Sequence, residues 1–105
     1  MAESVMDSIA LTERQRRLLL EVAAGKTTHR CASWSPRQLE TFQPDVDDLL
    51  RLDAMGYLNG CEALAEPRLG MGYVNRVYVR GGLTEEGWRL VESLVAPVPE
   101  SRQAA

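Results

Sequence analysis

Apolar residues recur at helical spacing in the first quarter of the chain, where Leu11, Leu18, Leu19, Val22 and Ala23 share one face of a helix predicted over residues 12–24. Its start is marked by Thr12-Glu13-Arg14-Gln15, a capping box in which the threonine hydroxyl and the glutamine amide satisfy two orphan backbone donors. Gly25 supplies the left-handed stop. Residues 26–34 carry no helical stripe and are rich in types that favour extended or turn backbone, which predicts a loop or a short edge strand.

A second helix opens at Ser35-Pro36-Arg37-Gln38, with serine as N-cap, proline at the first helical position and Trp34 and Leu39 spaced for a hydrophobic staple. Pro44 has no amide to continue a helix and disfavours helical geometry at Gln43, so this element is expected to stop there. A third helix is expected from Pro44 or Asp45, carrying Val46, Leu49, Leu50, Leu52 and Met55 and ending at Gly56. Asp45, Asp47 and Asp48 would sit in its first turn, at the positive end of the helix dipole. Two helices divided by a tight break form a helix-turn-helix candidate.

Beyond Gly56 the period changes from helical to extended. Residues 57–65 predict one strand and residues 73–80 another, with the proline and two glycines of residues 66–72 as the connection. In the second strand Arg76, Tyr78 and Arg80 fall on one face and Val77 and Val79 on the other. Gly81-Gly82 breaks the strand, and a last helix starts with Thr84 as N-cap, a Leu83–Trp88 staple, and a core face of Trp88, Val91, Leu94 and Val95. Leu20 and Leu90 fall off the core stripes, and with Val5, Met6 and Ile9 they suggest a homodimer surface. The expected organisation is an N-terminal extension over residues 1–10, a single domain over 11–96 and a flexible tail over 97–105.

The order helix, extended segment, short helix, helix, hairpin, helix is that of an α+β winged helix. Residues 48–58, Asp-Leu-Leu-Arg-Leu-Asp-Ala-Met-Gly-Tyr-Leu, resemble the end of the recognition helix and the first wing strand of the multiple-antibiotic-resistance type of small bacterial regulator. Residues 77–88, with Leu83-Thr84-Glu85-Glu86-Gly87, resemble the second wing strand and following helix start in the same group. The resemblance implies a homodimeric regulator of transcription that binds double-stranded DNA, with the third helix in the major groove and the hairpin tip near the minor groove or backbone. Arg37 and Arg51 on the helix-turn-helix and Arg68, Arg76 and Arg80 on the hairpin are the contact residues this implies.

Charge complicates that expectation. The chain has 105 residues, 45% of them hydrophobic, and a net charge of −3, so any contact with a polyanion must come from a local patch. Residues 12–34 hold one such patch, with Arg14, Arg16, Arg17, Lys26 and Arg30 against Glu13 and Glu21. Residues 36–56 have the opposite balance, with Arg37 and Arg51 against Glu40, Asp45, Asp47, Asp48 and Asp53. That acidity supports an alternative, in which Asp45, Asp47, Asp48 and Asp53 form a surface for a basic protein partner and DNA is not bound directly.

The remaining chemistry is sparse. His29, Cys31 and Cys61 lack metal-ligand spacing, no nucleophile motif accompanies His29, and Gly70-Met71-Gly72 lies in a hairpin rather than between strand and helix. No metal, cofactor or catalytic residue is expected. Two cysteines outside any C-x-x-C pattern, and the lack of a membrane-length apolar run, lead to the expectation of reduced thiols in the cytoplasm.

Overall fold

The computed structural model describes residues 11–33, 35–65 and 73–95. Among these, the order is α1 (Glu13–Ala23), β1 (Thr28–Arg30), α2 (Pro36–Ala54), β2 (Cys61–Ala65), β3 (Val74–Val79) and α3 (Glu85–Val95). The fold class is α+β, with three helices and a three-stranded antiparallel sheet in the order β1-β3-β2. No helix among the described residues is long and apolar enough to cross a membrane.

The helix ends follow the sequence signals closely. Thr12 and Gln15 form the reciprocal capping box of α1, at 3.1 Å in both directions. Ser35 Oγ accepts from Gln38 N at the start of α2. Both α1 and α2 close on a glycine with positive φ, Gly25 and Gly56. In each case the following residue's amide reaches back to the last turn, Lys26 to Glu21 O (2.9 Å) and Tyr57 to Leu52 O (3.0 Å), which satisfies carbonyls the helix would otherwise leave open.

Residues 36–54 form one helix of 19 residues, and the expected stop at Gln43 does not occur. There is no turn, and the two short helices of the helix-turn-helix reading are one. Packing and a side-chain tie account for this. Leu39, Val46, Leu49 and Leu52 are all buried and make one stripe on both sides of Pro44. On the turn weakened by the proline, Gln43 Nε2 donates to Leu39 O and to Val74 O (both 2.8 Å), and Gln43 Oε1 accepts from Val74 N (3.3 Å). The carbonyl that Pro44 leaves without an amide belongs to Glu40, an exposed position open to water.

The sheet has two unlike faces. Val77 and Val79 on β3 and His29 on β1 are buried toward the helices, and α2 packs across β2 and β3. Register places Thr28 opposite Tyr78, Arg30 opposite Arg76, Glu62 opposite Tyr78 and Leu64 opposite Arg76, so these residues share the outer face. Leu18, Leu19, Leu39, Leu49, Leu52, Val77 and Val79 are the most fully buried side chains, each burial contributing roughly 1.5–3 kcal/mol.

The orientation of α3 corrects another expectation. Gly87, Leu90 and Val91 face the core, while Trp88 and Val95 are 46% and 60% exposed. Gly87 sets this rotation, because its backbone lies against the Tyr57 carbonyl so closely that the helix can approach only along its side-chain-free face. Leu90 is therefore core rather than surface, and Leu20 is half-buried against the same core. The hairpin tip with Arg68, the Trp34 half of the staple, the N-terminal extension and the tail lie outside the described residues.

Candidate functional site

Two ion networks decide which charged side chains are available to an outside partner. Arg14 and Arg17 of α1 both reach Asp45 Oδ1, at 3.4 and 3.0 Å, and Arg14 also meets Asp48 Oδ2 at 3.4 Å. Asp48 is buried, and its other oxygen accepts from Gln15 Nε2 at 3.2 Å. Gln15 thus caps α1 with its oxygen and anchors α2 with its nitrogen. For Arg17, burial opposes the charge, but Asp45 and Glu21 outweigh it and hold the guanidinium pKa above its ordinary value. At the opposite end of the sheet Arg80 pairs with Glu62 at 2.7 Å and lies 5.0 Å from the Tyr78 ring centroid.

These contacts redistribute the candidate residues. Much of the basic patch of residues 12–34 is paired though exposed, since Arg14, Arg17 and Lys26 all meet carboxylates. The acidic set of α2 is divided as well: Asp45 and Asp48 are held by α1, Asp53 is half-buried, and Asp47 is exposed. Two of the five acids of residues 36–56, Asp45 and Asp48, therefore hold α2 against α1, and Glu40, Asp47 and Asp53 do not.

Two of the arginines that remain share one cleft. Arg30, at the end of β1, and Arg37, in the first turn of α2, line one cleft of about 330 Å³ together with Gln38, Thr41 and Phe42. Asp45 also lines it, with Oδ1 taken by Arg14 and Arg17. Arg30 in turn faces Arg76 across the β1–β3 ladder. The start of β3 is fastened to the same half of α2 by Gln43 and by Tyr73, whose hydroxyl donates to Glu40 Oε2 at 3.4 Å. Of the sequence candidates, Arg37 lies in the cleft with Arg30 and Arg76 stands opposite Arg30 in the sheet, while Arg30 itself was assigned by the sequence only to the general basic patch. Its alternation with buried His29 on a short edge strand was the signal that it points outward. Arg51 is exposed fourteen residues further along α2 than Arg37, roughly 21 Å away at 1.5 Å per residue, and does not belong to the cluster.

Nothing in the comparisons identifies this arrangement. No protein-family model matches the chain, nor does any curated protein or solved structure. No group of three or more His, Cys, Asp or Glu side chains among the described residues is arranged to hold a metal ion. Cys61 donates to Leu49 O at 3.6 Å, and burial, with Asp53 adding to it, pushes its thiol up to about 11, so it is a poor nucleophile at neutral pH. Cys31, whose Sγ donates to Ser33 O at 3.0 Å, lies beside Arg30 in the cleft.

His29 supports the cluster from beneath. Its Nε2 lies 2.9 Å from the Lys26 carbonyl and donates to it, and Nδ1 faces Glu21 Oε1 at 3.8 Å. Burial lowers its pKa below the ordinary 6.5, and the Lys26 charge adds to that, against the opposing pull of the Lys26 carbonyl and of Glu21. The unfolded chain then takes the proton more readily than the folded one. Stability from this group is full above about pH 6.5 and is lost as pH falls below it, at up to about 1.4 kcal/mol per pH unit for one proton. Urea midpoints measured from about pH 7 down to about pH 5 are expected to fall for the wild type and to flatten for His29→Gln. An equal slope in the two proteins would assign the loss to carboxylates instead.

Proposed function

We propose that the domain is a winged-helix-type module that binds double-stranded DNA and serves as a small regulator of transcription. The observation that carries this reading is that Arg30 and Arg37 line one cleft with Gln38 and Thr41, with Arg76 opposite Arg30 in the sheet, while of the nearby carboxylates Asp45 is bonded to α1 and Glu40 accepts from the Tyr73 hydroxyl. Guanidinium, amide and hydroxyl groups are the side chains that grip phosphates and read base edges. The succession of helix, edge strand, helix and two paired strands supports the same reading, and the continuous α2, which has no turn, is where the chain departs from the usual winged helix. The contact half of α2 is then its N-terminal half, residues 36–43, and not the acidic C-terminal half that the resemblance first suggested.

Fluorescence anisotropy with a labelled duplex tests the proposal. Binding is expected at about 50 mM salt and should weaken steeply by about 200 mM as counterions are released. Arg37→Ala should weaken it about tenfold and lower the salt slope by about 0.9, and Arg51→Ala should leave both within about twofold. Absence of duplex binding at the lower salt, or an Arg51 effect as large as that of Arg37, would overturn the assignment.

A further inference from the structure

Arg30 and Arg76 stand opposite each other in the sheet, in the close type of cross-strand pair. The flanking bonds, Cys31 N to Asn75 O (3.0 Å) and Val79 N to Thr27 O (2.8 Å), mark 31/75 and 27/79 as hydrogen-bonded pairs. Alternation along an antiparallel ladder then makes 30/76 a non-hydrogen-bonded pair, in which side chains approach most closely. Like charges directly opposite in such a pair repel. No carboxylate among the described residues lies within ion-pair distance of either guanidinium. Arg76 is flanked on β2 by Leu64, and the nearby acid on the outer face, Glu62, is taken by Arg80. Arg76 Nε is moreover buried without a hydrogen-bond partner, a desolvated donor on a charged group.

Two arginines at directly opposed positions on one face of the sheet, with no acid set between them, present charge complementary to a tetrahedral oxyanion. We infer that Arg30 and Arg76 clamp a single phosphate group on the outer face of the sheet. Each guanidinium offers paired N–H donors to such a group. The inference uses the same arginines as the DNA reading but does not depend on it, because a nucleic-acid backbone and a free phosphate compound present the same group.

The test uses the full chain with two ligands and two substitutions at Arg30, an exposed position where a change should leave the fold intact. In the first arm, thermal unfolding is compared in chloride and in inorganic phosphate at equal ionic strength. A rise of about 6–11 °C is expected with phosphate about tenfold above its Kd, together with movement of the Arg76 Nε–Hε resonance in a nitrogen–proton NMR spectrum. Arg30→Gln should abolish both. Arg30→Glu should raise the melting temperature in chloride, by replacing a repulsive pair with an attractive one, and should abolish the phosphate response.

In the second arm, duplex DNA is titrated against wild type, Arg30→Gln and Arg76→Gln. A loss of about tenfold or more in both variants assigns the clamped group to a nucleic-acid backbone. A phosphate response that needs Arg30, without duplex binding, assigns it to a free phosphate compound, so that the clamp stands and the DNA reading fails. Duplex binding unchanged by Arg30→Gln and Arg76→Gln, with no Arg30-dependent phosphate response, overturns the clamp and leaves duplex binding itself standing, with its contacts on Arg37 and the start of α2 rather than on the sheet. If neither ligand responds to Arg30, the clamp is likewise overturned.

Discussion

Replacing Gly87 with alanine is expected to cost the fold about 3 kcal/mol or more, because the added methyl has nowhere to go. A Cβ built on Gly87 falls on the Tyr57 carbonyl, inside the distance that real Cβ atoms keep from other atoms, and it also crowds the Leu83 side chain at 3.3 Å. The obstacle is backbone, so no rotamer change relieves it. Either α3 must lift from the turn after α2 or that turn must move. The same turn is fastened by Thr84, whose hydroxyl donates to Gly56 O at 2.6 Å and accepts from Gly87 N at 2.9 Å, and whose amide donates to Tyr57 O at 3.1 Å. Lifting α3 therefore breaks its N-cap and withdraws Leu90 and Val91 from the core at once. Overpacking against backbone with loss of a cap belongs at the upper end of single-substitution effects. For a domain of this size the melting temperature should fall by more than about 10 °C. Circular dichroism melts of Gly87→Ala beside the exposed Glu86→Ala check this, and a difference of under about 2 °C between the two would mean that α3 does not seat on Tyr57.

Gly87 also illustrates where sequence reasoning succeeded and where it stopped. The threonine, the acids and the glycine at the start of the last helix were readable as a motif, and the capping role of Thr84 followed from residue type alone. Which face of the helix turns inward did not follow, because Trp88 is the strongest apolar signal in the segment and the glycine carries none. Only the position of the Tyr57 carbonyl, contributed by a turn thirty residues earlier, decides it. Cluster residues show the same division. Strand alternation correctly turned Arg76, Tyr78 and Arg80 away from Val77 and Val79. Strand pairing, which brings Arg30 beside Arg76, is a long-range property, and a three-residue strand carries too little pattern to announce it. Likewise, counting charges along residues 36–56 made the segment look hostile to phosphate. The count could not register that Asp45 and Asp48 point at α1, since their partners Arg14, Arg17 and Gln15 lie about thirty residues away.

Pro44 gives the sharpest separation between a helix that breaks and one that runs through. Proline inside a helix forfeits the bond to Glu40 O and crowds that carbonyl, and relative to alanine its cost is about 3 kcal/mol. Against this, proline restricts the unfolded chain and returns about 0.4–1 kcal/mol. Some of the remainder is already relieved here by the Gln43 bonds to Leu39 O and to both backbone groups of Val74, which hold the turn in place from the side. Pro44→Ala should therefore stabilise the protein by about 1–2 kcal/mol. If instead residues 43–45 formed a turn between two helices, alanine would remove a favourable turn former, and the change would be neutral or destabilising. The two structures predict opposite signs, so one pair of denaturant titrations separates them. Gln43→Ala completes the argument. It should cost about 2–3 kcal/mol in the wild type, where the amide bridges α2 to β3 beside an unmade helix bond. Its cost should shrink by a measurable fraction in the Pro44→Ala background, because the two sites share one turn and their effects should not add. Strict additivity would mean that Gln43 merely ties α2 to β3 and does nothing for the continuity of the helix, leaving the buried stripe of Leu39, Val46, Leu49 and Leu52 as the sole force carrying α2 past its proline.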